Sequence, residues 1–216
     1  MKLAYLPIDI PVLIPDEKLV LDWFEHHKLL DTNYWEYEQG RHTWAMISTC
    51  KEPKNWRRYD ADMWNNRREP IVDNPSIFFH PGFEETFPEI SNCIRQLPFK
   101  QLTVSGMLYQ MGEIPVHQDA TDKHDPTEPR RYTIYLTAPE HNTFYVSKTS
   151  DSEKIILNIN SNYSCFVFNN TDCWHGALKN NRPKIILTMA GILDNEKHKK
   201  LIERSLKKFK DQALYL

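Results

Sequence analysis

The sequence predicts a mainly β domain with flanking helices, in which two antiparallel sheets face each other as a sandwich or jelly roll. Two observations lead there. From Phe99 to Leu193 short apolar runs follow one another, at roughly 101–109, 115–119, 131–137, 143–147, 153–159, 163–168 and 184–192. Turn-forming residues such as Asn169-Asn170-Thr171-Asp172 punctuate them, as expected of strands rather than helices. On either side of this run the apolar spacing changes to a helical period.

The elements follow in order. Residues 1–14 read as an extended apolar strand. Asp16 is placed to cap a helix running to about Leu30, with Leu19, Val20, Trp23, Phe24 and His27 on one face. Residues 31–80 are the least regular stretch and hold Trp35, Trp44, Trp56 and Trp64 with Arg57, Arg58, Arg67 and Arg68. Thr86 to Leu97 reads as a second helix. After the strands, Asn195 to Gln212 is helical, with Leu201, Ile202, Leu206 and Phe209 on its apolar stripe and lysines elsewhere. One domain over 1–216 is expected: a helical, aromatic-rich support (1–98), a strand core (99–193) and a C-terminal helix (194–216).

Composition narrows the function classes. The chain has 216 residues, 40% hydrophobic and 12% aromatic, enough to bury a substantial core. A formal net charge of -2 argues against a chain whose main task is gripping phosphates, so a nucleic-acid partner is not expected. No apolar run approaches a membrane span. Pro7 and Asp9 fall too early for a secretory signal. Cys50, Cys93, Cys165 and Cys173 form no CxxC pair and read as buried or free thiols. A cytoplasmic setting is the resulting expectation.

The chemistry is concentrated in His117-Gln118-Asp119 and a distant His175. Two imidazoles and one carboxylate hold one octahedral face of a divalent iron and leave the opposite face open. Residues i and i+2 of a strand point to the same side, so His117 and Asp119 can reach one point without distorting the backbone. The third ligand must come from a distant strand folded back beside the first. Zinc accepts the same donors, but its structural sites favour a closed tetrahedron.

Tyr109-x-x-Gly112, His117-x-Asp119, His175 and a basic residue opening the last strand together resemble the iron(II)/2-oxoglutarate-dependent dioxygenases. The nearest likeness is to their prolyl and aspartyl/asparaginyl hydroxylase-like branch. Arg130-Arg131-Tyr-Thr-Ile-Tyr-Leu136, Asn142 to Val146 and Phe168 to Ala177 resemble later parts of that branch. The resemblance covers roughly residues 99–193 and implies a double-stranded β-helix, a cupin-like jelly roll with helices outside the larger sheet. It also implies Fe(II) on His117, Asp119 and His175, with 2-oxoglutarate as co-substrate and ascorbate as a candidate supporting reductant.

Further roles come with it. The far carboxylate of 2-oxoglutarate needs a cation. Lys184 stands where the family has its basic residue, and Arg182, of the same strand parity, is the competitor. Pro183 marks the strand start and favours Lys184. Tyr109 would donate its hydroxyl to 2-oxoglutarate, against the reading of a core aromatic. Arg131 resembles a carboxylate-binding arginine, against that of a surface charge. Trp174 would wall the site, Asn169 and Asn170 would serve the turn, and Asp122-Lys-His124-Asp125 would be a lid or a solvated loop. The tryptophan- and arginine-bearing stretch 34–68 would grip substrate or be core. The implied reaction is hydroxylation of a substrate C–H, with release of succinate and carbon dioxide. The substrate would be a protein side chain or a small molecule such as an amino acid. Two rivals remain: a cupin-like metalloprotein that does not use 2-oxoglutarate, and a non-catalytic binding module.

Overall fold

In the computed structural model the run of short apolar segments becomes eight strands that pass back and forth between two sheets. Described are residues 1–30, 43–58, 76–119, 129–137, 139–159 and 164–216, with the backbone of 36–37 and 40–41. The 120–128 loop, with Asp122, His124 and Asp125, lies outside these residues, as do Trp35, Trp64, Arg67 and Arg68.

In chain order the elements are β1 (Leu3–Pro7), α1 (Glu17–His27), the short pair β2 (Glu36–Tyr37) and β3 (Gly40–Arg41), β4 (Thr43–Thr49) and β5 (Phe78–Phe79). Two short helices follow, α2 (Phe83–Thr86) and α3 (Pro88–Gln96). The core strands are β6 (Phe99–Gln110), β7 (Ile114–His117), β8 (Arg131–Tyr135), β9 (Phe144–Ser147), β10 (Ile155–Ile156), β11 (Cys165–Phe168), β12 (Trp174–Ala177) and β13 (Lys184–Leu193). Helix α4 (Asn195–Phe209) and β14 (Leu214–Tyr215) end the chain.

The larger sheet has the order β14-β1-β11-β8-β13-β6-β4-β5, and the smaller β10-β9-β12-β7. The pairings within both are antiparallel. The protein is thus mainly β with a few helices. Each face of the larger sheet has its own core. On one face Ile47, Met107, Tyr132, Ile134, Ile185 and Leu187 pack against Val20, Phe24, Phe83, Ile90, Ile94 and Leu201 of the helices. On the other, Tyr5, Tyr135, Phe166, Phe168 and Ile186 meet Phe144, Val146 and Ala177 of the smaller sheet. Strands covered on both sides have no solvent face to show, which is why β1, β11 and β13 read as near-continuous apolar runs.

Local rules explain the boundaries. The Asp16 carboxylate accepts from the Leu19 N–H at 3.1 Å and opens α1. Asp194 does the same for α4 through the Lys197 N–H at 3.1 Å. The expected helix from Thr86 to Leu97 is α3, which starts at Pro88 because a proline with no N–H to give suits the first turn, and a separate short helix α2 precedes it. The expected strand over 1–14 is regular only at Leu3–Pro7, although Ile8 and Ile10 remain in the core. The expected 153–159 strand contracts to Ile155–Ile156. Strand β4, inside the stretch that reads as irregular, extends the larger sheet beyond β6. Trp44 on β4 lies across Gly106, where an added Cβ would stand 2.5 Å from the indole.

Candidate metal centre

The centre is built where the smaller sheet folds over the end of β8. His117 closes β7 and His175 lies on β12, and the two residues are direct partners across that antiparallel pair. Their rings are 4.3 Å apart between centroids. Asp119 follows β7 and is anchored by its own backbone, whose N–H donates to the Asn170 carbonyl at 2.9 Å. One ligand atom from each of His117, Asp119 and His175 lies within 4.8 Å of the other two, so the cluster can hold a metal ion.

The orientation of each group decides what it can do. The Nδ1 of His117 faces the Pro115 carbonyl at 2.8 Å, and that of His175 faces the Cys173 carbonyl at 3.3 Å. A carbonyl accepts only, so each ring carries its proton on Nδ1 and offers the Nε2 lone pair inward. The Asp119 Oδ1 stands 3.7 Å from Nε2 of His117 and 3.6 Å from Nε2 of His175. Its Oδ2 is taken by protein donors, Arg131 Nη2 at 2.7 Å and Asn170 Nδ2 at 2.7 Å. Three lone pairs therefore converge, and the other polar atoms of the three side chains have partners.

The electrostatics agree. Burial opposes ionisation of Asp119, but the Arg131 charge, the nearby His175 imidazole and the hydrogen bond from Asn170 hold its carboxyl well below the usual carboxylate range. Burial and the neighbouring His175 push the His117 imidazole below its ordinary value, toward the neutral form that ligates metal. Phe144 and Phe168 stand 6.0 and 5.1 Å from the His175 ring and close off its inner side.

The remaining sequence candidates separate. Lys184 opens β13 and is 3% exposed. It shares strand parity with Ile186, on the face toward the smaller sheet. Its Nζ lies 5.5 Å from the centroid of the Tyr135 ring. Among the described residues no carboxylate pairs with it, and burial lowers its pKa to about 7. Arg182 is exposed in the turn before β13, its N–H bonded to Asn180 Oδ1 at 3.3 Å. It does not share the buried position of Lys184.

Tyr109 departs from the expected role. It pairs with Ile185 and stacks on Phe24 of α1 at 5.5 Å, on the helix side of the larger sheet. Its neighbours in β6, Leu108 and Gln110, have the opposite parity, so a single residue of register separates the expected role from a packing role. Arg131 is not a surface charge: its side chain is 15% exposed and its Nη2 donates to Asp119 Oδ2 at 2.7 Å. Trp174 pairs with Ser147, and its parity turns it to the face opposite His175, away from the centre.

Asn169 serves the turn, its Oδ1 accepting from the Asp172 N–H at 2.9 Å. Asn170 was not legible as a site residue. Its position inside an Asn-Asn-Thr-Asp turn is equally well explained by turn chemistry, and only the fold brings its amide to Asp119.

Neither a family model nor a curated protein sequence matches this chain. Solved structures to which it is similar include a prolyl-4-hydroxylase from Pseudomonas putida, 12% identical, with a TM-score of 0.40 over 81% of this chain and 82% of that one. Another is IDO from Bacillus thuringiensis, 11% identical, with a TM-score of 0.41 over 80% of this chain and 79% of that one.

Proposed function

We propose that residues 1–216 form a single Fe(II)- and 2-oxoglutarate-dependent dioxygenase domain that hydroxylates a protein side chain or an amino acid and releases succinate and carbon dioxide. One observation carries the reading. The Nε2 atoms of His117 and His175 and the Oδ1 of Asp119 converge, while protein groups occupy their outward polar atoms. Two neutral imidazoles and one carboxylate fit a divalent iron and leave coordination positions for other ligands.

Two further features support the finer parts. From β6 to β13 the first, third, sixth and eighth strands lie in one sheet and the second, fourth, fifth and seventh in the other. That alternation supports a double-stranded β-helix, with the centre held between the two sheets. Lys184 supports a dicarboxylate co-substrate: a buried ammonium without an anion is costly, and the C5 carboxylate of 2-oxoglutarate would supply one.

Iron with 2-oxoglutarate, when bound, supplies the means to reduce dioxygen, which is the oxidant for the C–H bond and for the keto acid that leaves as succinate and carbon dioxide. The chain does the rest. His117, Asp119 and His175 would hold the ion, Lys184 would fix the far end of the keto acid, and Phe144, Phe168 and Ile186 would keep water from the inner side. Anaerobic titration of the iron-loaded protein with 2-oxoglutarate tests this. A weak visible charge-transfer band is expected, diminished in Lys184→Met. Iron binding without the band would refute 2-oxoglutarate use, and failure to bind iron would refute the metal centre itself.

A further inference from the structure

Asp119 is the most heavily restrained side chain of the centre, and its restraints fall on one atom. Oδ2 accepts from Arg131 on β8 and from Asn170 in the turn between β11 and β12, each at 2.7 Å. Both donors are largely buried, with the Arg131 side chain 15% exposed and Asn170 8% exposed. The Asp119 N–H is tied to the Asn170 carbonyl at 2.9 Å, which fixes the backbone from which the carboxylate projects. For Oδ2 to turn toward the two imidazoles, two short hydrogen bonds would have to break, one of them charge-assisted.

We propose that Arg131 and Asn170 are positioning residues that confine Asp119 to metal binding through Oδ1 alone. The inference rests on the metal-centre reading above and adds to it a function for residues outside the ligand set. The consequence is a count. A six-coordinate ion with two imidazoles and a one-oxygen carboxylate keeps three positions open, whereas a chelating carboxylate leaves two. A keto acid chelating through two atoms would use both of those and leave none. On this view Arg131 preserves the third position, and its charge is matched by the carboxylate it holds.

The test uses Mn(II) alone, without co-substrate or turnover. Water-proton relaxation or high-field EPR counts the waters on the bound ion, and titration gives its Kd. Wild type should hold three waters. Arg131→Met frees Oδ2 to chelate, and the count should fall to two. Asn170→Ala removes one donor without changing charge. It should weaken Mn(II) binding by about tenfold, in line with the loss of other groups that orient metal ligands. Asn170→Asp, which keeps the shape but replaces the donor with a repelling carboxylate, should not restore wild-type behaviour.

Two waters in wild type, or three waters and unchanged Kd in every variant, would overturn the proposal while leaving the metal centre standing. Wild type that binds no Mn(II), Co(II) or Fe(II) would remove both. Should Arg131→Met fail to fold by circular dichroism, the Asn170 pair decides alone: unchanged affinity and water count there also overturn the proposal.

Discussion

Replacing Lys184 by methionine should stabilise the ligand-free protein, and by an amount that depends on pH. The ammonium is buried and has no carboxylate partner among the described residues, and its pKa falls from 10.5 to about 7. The folded value lies below the unfolded one. Between the two, the unfolded chain holds a proton that the folded chain lacks, so stability rises as pH rises. The penalty is complete below pH 7 and gone above 10.5. At about 1.4 kcal/mol for each tenfold change in proton concentration, the gap corresponds to about 5 kcal/mol. Methionine keeps an apolar stem of similar reach and carries no charge to desolvate.

Urea unfolding of wild type and Lys184→Met at pH 7, 8, 9 and 10 measures the effect. The variant should be the more stable by several kcal/mol at pH 7, and the difference should shrink by about 1.4 kcal/mol per pH step. Succinate or 2-oxoglutarate should narrow the gap at pH 7 by pairing with the ammonium, and neither should affect the variant. A difference that stays constant from pH 7 to 10, or a variant less stable at every pH, would show that the Lys184 ammonium is not desolvated as described.

Other outcomes follow from the same geometry. His117→Ala and His175→Ala should each abolish iron binding and succinate formation, measured by metal analysis and product assay; undiminished succinate from either would remove the assignment. Tyr109→Phe should leave the 2-oxoglutarate titration within about twofold of wild type, because the hydroxyl lies on the helix side; a charge-assisted contact would instead cost about tenfold or more. Gly176→Ala would set a Cβ 2.6 Å from both the Ile114 carbonyl and the Tyr145 hydroxyl. A loss of about 1–3 kcal/mol and weaker metal binding are expected from this overpacking next to His175, read by thermal melts and titration. Burial and then Arg130 lower His198 from 6.5 to about 4. Its folded pKa is depressed, so its contribution is full above pH 6.5 and lost as pH falls toward 4. Wild type should lose about 3 kcal/mol more than His198→Gln over that range in urea unfolding.

The part of the site that could be read from the sequence is the part set by strand periodicity. His117 closes β7 and Lys184 opens β13, and both positions require only that a strand exists, whereas Asp119 lies past the end of β7 and is held by its N–H to the Asn170 carbonyl. What periodicity could not supply is which face is which. In β6 the residues from Leu102 to Met107 are all buried, so the sequence does not tell whether Tyr109 or Leu108 looks toward the smaller sheet. Strand β4 escaped for the same reason: Thr-Trp-Ala-Met-Ile-Ser-Thr has no alternation and sits in a stretch dominated by tryptophans. The partners of Asp119 are set by tertiary contact. Arg131 and Asn170 lie 12 and 51 positions away, and nothing local marks either. The helix boundary at Phe87 could have been placed, since Pro88 announces it.

The facing of His117 and His175 across β7 and β12 has one more consequence. An ion gripped by both would fasten two distant stretches of chain like a rivet and shorten the loop free to wander when the sandwich opens. Loading with metal should therefore slow amide exchange most in these two strands and their neighbour β9, and a chelator should release that protection there first. In such a molecule, taking up the ion and fastening β7 to β12 at the edge of the smaller sheet are a single event.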